Sequence, residues 1–216
     1  MQTVIFDMDG VLVDTEPVHH LAYERHFKEL NIAVDAQTYA GFTGNSTPNI
    51  YQKLKDQFGL DEDIQTLAAA KLLYFNEVFD AHEQLALMPG VLDLIQDLHQ
   101  NQIQLLIASS SARDTIERVM DRFDLKKYFS HWVSGEDFER SKPDPSIFLK
   151  AVALSKTPKK HCLIIEDSTN GIIAARAAGV FCIGYANNGN NPQDISLANI
   201  QIQRFSELNY TRIHQL

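Results

Sequence analysis

The chain has 216 residues, 44% hydrophobic and 22% charged, which suits one domain of moderate size or a domain carrying an insertion. Its formal net charge is -9, and its nearest approach to a basic run is two isolated pairs, Lys126–Lys127 and Lys159–Lys160, so nucleic acid is not expected as a partner. No apolar stretch approaches the ~20 residues of a membrane span, and no basic leader precedes the first strand-like run; the expectation is a cytoplasmic monomer with no membrane contact.

The first predicted element is a strand, TVIFD at 3–7. It runs into Asp7 and Asp9, then Gly10, with Asp14 soon after. Residues 15–82 then read as helix after helix. One spans 17–30 with Thr15 as its N-cap; a second spans 48–58, led by Ser46 or Thr47. A third spans 63–79, with Ile64, Leu67, Ala68, Leu72, Phe75 and Phe79 at helical spacing. An all-helical block inserted after a first strand predicts a small cap domain over 15–85, with linkers near 13–16 and 82–88. The remainder, 1–14 and 86–216, forms the core.

From residue 91 the pattern alternates. Val91, Leu94, Ile95 and Leu98 share one helical face, as do Ile116, Val119, Met120 and Phe123. Between and after them fall strand-like runs at 103–109, 131–137, 161–167, 181–186 and 200–205. This alternation predicts an α/β fold: a Rossmann-like parallel sheet with helices on both faces. Cys162 and Cys182 lie inside strand runs and read as buried thiols rather than a disulfide or a metal pair. Residues 186–194 read as a polar loop.

Strands of such a sheet deliver ligand-binding groups at their carboxyl ends. Here those ends carry Asp7-Met8-Asp9-Gly10, then Ser109-Ser110-Ser111, then Lys142, then Glu166-Asp167, then Asn187–Asn188. Carboxylates crowded on one rim cannot all stay ionised without a counter-charge. Mg²⁺ meets that need through one or two carboxylates plus phosphate and water. The lysine and hydroxyls suit the remaining oxygens of a phosphoryl group. In this arrangement Asp7 can attack phosphorus to give an aspartyl phosphate, and Asp9 can protonate the leaving oxygen and later deprotonate water. D-x-D-G also begins calcium loops, but the glutamate such a loop needs is replaced by Val18.

In their order along the chain, DMDGVLVDTEP, IASSS, SKPDP and IIEDSTNG resemble the four motifs of the haloacid dehalogenase-like (HAD) hydrolases. The helical insertion after the first motif is similar to the cap of the subgroup that contains phosphoglycolate phosphatase and beta-phosphoglucomutase. The resemblance implies Asp7 as nucleophile, Asp9 as general acid/base, and Ser109 and Lys142 on the phosphoryl group. It implies Mg²⁺ as cofactor, held by the Asp7 side chain, the Asp9 backbone carbonyl and Asp167, with Glu166 a direct or water-mediated ligand. Ser110, His19 and Lys71 fall where substrate-binding residues are expected. The dehalogenase branch lacks the second aspartate of motif one, so Asp9 argues against C–halogen cleavage.

Three activities follow as alternatives. The first is a Mg²⁺-dependent phosphatase acting on a small phosphorylated metabolite such as a sugar phosphate. The second is a phosphomutase of the beta-phosphoglucomutase kind. The third is a non-catalytic binding protein on the same fold. Relative to the mutase pattern, Thr43 and Thr47 stand where cap cations are expected, which favours the phosphatase.

Overall fold

The computed structural model describes residues 1–187 and 193–216; Asn188 and residues 189–192 of the polar loop lie outside the described residues. Six strands form one sheet: β1 (Thr3–Phe6), β2 (Gln104–Ser109), β3 (Phe129–Ser134), β4 (Cys162–Glu166), β5 (Phe181–Tyr185) and β6 (Ile200–Ile202). Their order is β3-β2-β1-β4-β5-β6, and every neighbouring pair is parallel. β1 and β4 are buried along their whole length, which is why they read as continuous apolar runs.

Successive side chains of a strand point to opposite faces, and the core divides accordingly. Val4, Phe6, Leu105, Ile107, Leu163 and Ile165 pack on one side with α5 (Val91–Gln100) and α6 (Arg113–Arg122). Ile5, Leu106, Ala108 and Ile164 pack on the other with α7 (Ser146–Ser155) and α8 (Thr169–Ala178). The fold is the expected parallel α/β sheet covered on both faces. Cys162 and Cys182 are buried free thiols within it. The third strand run is shorter at its end than the pattern suggested: Gly135–Asp137 turns into a short 3-10 helix, because Ser134 accepts from Glu136 N and ends the extended backbone.

Four helices leave the sheet between β1 and α5: α1 (Glu16–Glu29), α2 (Ala36–Ala40), α3 (Thr47–Phe58) and α4 (Ile64–Ala81). Periodicity located three of them; the five-residue α2 is too short to show any. Tyr23, Phe27, Phe42, Ile50, Tyr51, Leu54 and Leu67 form a core of their own here. The roots of α1 and α4 pack differently. Val18, Ala22, Phe75, Val78 and Phe79 join the cluster beneath the sheet. The two connecting segments touch: Val13 and Leu87 form an antiparallel bridge, and Met88 N donates to Leu12 O at 2.9 Å. Thr15 stands at the N-cap of α1 but does not cap it; its hydroxyl turns to Asp9 instead. Among the described residues, no helix is long and apolar enough to cross a membrane.

Candidate active site

β1 is the point where the sheet order reverses, with β2 on one side and β4 on the other, and this is where an open α/β sheet leaves a crevice. Phe6 is level with Ile107 and Ile165, so Asp7 emerges between the ends of β2 and β4. Its backbone N–H donates to Ile165 O at 2.9 Å, fixing the strand end. The chain then turns sharply. Gly10 N donates to Val13 O at 2.8 Å, and Gly10 has φ +83°, a conformation costly for a residue with a Cβ. A Cβ there would also overlap the carboxylate of Asp167.

Lys142 is 1% exposed and enters from the loop before α7. Its Nζ donates to Asp7 Oδ1 at 2.5 Å, Glu166 Oε1 at 2.7 Å and Ala108 O at 3.2 Å. Burial alone would lower the lysine pKa; the charges of Asp7 and Glu166 reverse this and hold it above the ordinary range. The other oxygen of Glu166 accepts from Ser168 N at 2.6 Å and from Ser168 Oγ at 3.0 Å. Both oxygens of Glu166 are therefore occupied. Ser168 in turn caps α8 by accepting from Gly171 N at 3.0 Å.

The two aspartates of motif one have opposite electrostatics. Burial, with Glu166 and Asp9 close by, pushes Asp7 up from 3.8 to about 8, against the pull of Lys142. Asp167 is likewise raised by burial and by Glu166 and Asp7. Asp9 is also buried, but donors outweigh that cost and hold it below the usual carboxylate range. Its Oδ1 accepts from the Thr15 hydroxyl and lies 3.4 Å from His19 Nε2. Its Oδ2 accepts from Ser109 Oγ at 3.1 Å and Ser111 Oγ at 2.8 Å. His19 Nδ1 lies 2.7 Å from Lys71 Nζ.

The structure thus brings Asp7, Asp9, Ser109, Lys142, Glu166 and Asp167 together, with His19 and Lys71 reaching Asp9 from the helical side. Ser110 points elsewhere: its hydroxyl donates to Gly44 O at 2.9 Å. Three participants escaped the sequence reading. Thr15 looked like a helix cap. Ser111 is one of three consecutive serines, and only the strand geometry says which of them face Asp9. Asn187 was placed on the rim without a role; its Nδ2 donates to Gly10 O at 3.2 Å, and its amide lies beside Asp167, favouring the charged form of that carboxyl.

The donor set fits Mg²⁺. Asp7, Glu166 and Asp167 are hard oxygen groups crowded around a single ammonium, and the shifts of Asp7 and Asp167 express that excess of negative charge. Among the described residues, no three His, Cys, Asp or Glu side chains are grouped as a ready-made metal site. Mg²⁺ takes few protein carboxylates and completes its shell with phosphate and water.

A haloacid dehalogenase-like hydrolase family model matches residues 4–185. The chain belongs to this family. A phosphorylated carbohydrates phosphatase of Thermotoga maritima is 30% identical over 185 residues, covering 83% of this chain and 82% of its own. The beta-phosphoglucomutase of Bacillus subtilis is 28% identical over 221 residues, covering 100% and 95%. Among solved structures, CbbY of Rhodobacter sphaeroides, in complex with phosphate, superposes with a TM-score of 0.88 at 24% identity, covering both chains completely. That likeness establishes the shared fold of this HAD member.

Proposed function

We propose that the chain is a Mg²⁺-dependent phosphatase that hydrolyses a small phosphorylated metabolite, a sugar phosphate by preference, through an aspartyl phosphate on Asp7. The observation that carries this reading is the contrast within motif one. Asp7 faces Lys142 at 2.5 Å, where an anion can be neutralised, while Asp9 sits among hydroxyls and an imidazole, where a proton can be exchanged. The name of the Thermotoga relative supports the substrate class.

In the first half-reaction Asp7 attacks as its carboxylate, the form that the Lys142 ammonium favours, and its Oδ bonds to phosphorus as the bond to the leaving oxygen breaks. Asp9 gives that oxygen its proton. Asp9 is held ionised before substrate arrives, so it must first be protonated. Phosphoryl oxygens supply the reason: they compete for the Ser109 and Ser111 hydroxyls and bring negative charge beside Asp9, both of which raise its pKa. In the second half-reaction Asp9 takes a proton from water as that water attacks the phosphoaspartate, releasing phosphate and Asp7. Lys142 neutralises charge on the phosphoryl oxygens throughout, positioned by Glu166. Mg²⁺, held by Asp7, Asp167 and the Asp9 carbonyl, would add Lewis-acid stabilisation of the same charge.

Mg²⁺-dependent release of phosphate from p-nitrophenyl phosphate tests catalysis against the binding-protein alternative. A screen of phosphorylated metabolites scored for free phosphate then tests the substrate class. The mutase reading retains one specific support, the full-length similarity to the Bacillus enzyme.

A further inference from the structure

Asn187 spans three strands. It stands two residues beyond β5, and the sheet order places β4 between β5 and β1. From there its Nδ2 reaches the turn that follows β1 and donates to Gly10 O at 3.2 Å. The same amide lies beside the Asp167 carboxylate, which follows β4, and favours its charged form. The three groups close tightly on one another. A Cβ added to Gly10 would overlap the Asp167 carboxylate and lie 3.1 Å from Asn187 Nδ2. The base of this strap is firm. Asn187 N donates to Tyr185 O at 2.9 Å, Ala186 N donates to Ile202 O at 2.8 Å, and the Tyr185 ring packs on Phe205 with centroids 4.5 Å apart.

We propose that Asn187 is a positioning residue: it fixes the Asp167 carboxylate against the motif-one turn and thereby sets the affinity of the site for a divalent cation. This inference rests on the metal reading given above. Asp167 shares its surroundings with Asp7 and Glu166, and their like charges repel its carboxylate. An amide is suited to oppose that. It offers two N–H donors from one nitrogen, so it can hold the Gly10 carbonyl and the carboxylate together. It carries no charge, so it does not repel the cation as a lysine would. Partners of this kind, which orient a ligand without touching the metal, are worth roughly 10–100-fold in metal affinity.

The test is Mg²⁺ binding to the phosphate-free protein by isothermal titration calorimetry, for wild type, Asn187→Ala and Asn187→Leu. Leucine keeps the volume of asparagine without its donors, so it separates hydrogen bonding from packing. Both variants should bind Mg²⁺ about 10–100-fold more weakly, with melting temperatures in chelator close to wild type, and turnover should recover at saturating Mg²⁺. Asn187→Leu binding Mg²⁺ like the wild type would overturn the proposal while leaving the metal reading intact. A wild type that binds no Mg²⁺ would overturn the metal reading and the proposal with it.

Discussion

Lys71 Nζ lies 2.7 Å from His19 Nδ1, inside a pocket where the ammonium also sits 4.7 Å from the ring centre of Tyr23 and 4.9 Å from that of Phe75. While Lys71 is charged it can only donate, so Nδ1 then accepts and the imidazole proton lies on Nε2, towards Asp9. Burial keeps both partners easily deprotonated: it lowers His19, and it lowers Lys71 from 10.5 to about 7. Lys71→Met should release the tautomer and weaken the hold on Asp9. A hydrogen bond to a charged group is worth about 1.5–3 kcal/mol, so kcat should fall by about tenfold or more. Steady-state kinetics over a pH series checks this; an unchanged kcat and pH profile would show that Lys71 only packs.

Asp7→Asn should abolish turnover and leave no trapped phosphoenzyme, since an amide is a poor nucleophile. It should not harm the fold, because it removes a buried carboxylate that Glu166 and Asp9 repel. Mass spectrometry after incubation with substrate, beside a thermal melt, reads both effects. Substantial activity in a clean preparation would remove Asp7 from the nucleophile's role.

The same repulsion makes stability depend on pH in a definite direction. Asp7 rises from 3.8 to about 8 on folding, so the native state binds the extra proton between those values. Stability of the metal-free protein should therefore decrease as pH climbs from about 5 to about 8. Asp167 is shifted the same way and adds to the slope; Asp9 is shifted the other way, and its contribution is lost only in stronger acid. Mg²⁺ should stabilise the protein more at the upper end of this window, because it replaces the proton. Melting temperatures with and without Mg²⁺ measure it, and a stabilisation that stays flat with pH would contradict the metal assignment.

Much of this site was legible because a parallel sheet turns sequence order into spatial order. Once TVIFD, IQLLIAS and HCLIIED are strands, Asp7, Ser109 and Asp167 must share a rim. What stayed hidden depends on side-chain direction. Nothing in SSS says that Ser109 and Ser111 face Asp9 while Ser110 faces Gly44. Thr15 fits the sequence rule for a cap, yet its backbone is helical and its hydroxyl turns to donate to a charged acceptor six residues back instead of accepting from the helix N–H groups. The strap made by Asn187 joins residues 177 positions apart and leaves no local pattern.

The first turn of α3 and the loop before it hydrogen-bond the core. Asn49 Nδ2 donates to Ser141 Oγ at 2.7 Å, Ser110 Oγ donates to Gly44 O at 2.9 Å, and Asn170 Nδ2 donates to Thr43 O at 3.2 Å. Two of these core residues adjoin Lys142 and Ser109, so contacts from the helical side lie next to both. Asn49→Ala should raise KM by about 2–12-fold, the worth of one ordinary hydrogen bond. Ser141→Ala should cost more than Asn49→Ala, since Ser141 Oγ also donates to Asn45 Oδ1 at 3.3 Å, and the double variant should match Ser141→Ala alone. Small-angle scattering should show the single variant more open than wild type when a phosphate analogue is bound. Additive losses in the double variant would mean that the two residues act separately.

The choice between hydrolysis and phosphoryl return to a sugar rests on a second phosphate anchor, best made by the bidentate fork of an arginine. Three candidate cations are already engaged. Lys71 is committed to His19, Arg25 lies 3.4 Å from Glu77 on the exposed side of α1, and Arg113 grips Asp137 with both carboxylate oxygens at 2.8 and 2.9 Å. Thr47, at the first turn of α3, offers a hydroxyl that hydrogen-bonds Tyr23 and carries no charge. A bisphosphate intermediate would therefore be held at one end only, leaving water to take the phosphoryl group from Asp7. Net phosphate release from sugar phosphates should exceed conversion of beta-glucose 1-phosphate to glucose 6-phosphate. Coupling to glucose-6-phosphate dehydrogenase, with glucose 1,6-bisphosphate as primer and free phosphate measured in parallel, gives the ratio. Rapid glucose 6-phosphate formation with little free phosphate would establish the mutase, and would mean that Lys71 leaves His19 to bind the second phosphate.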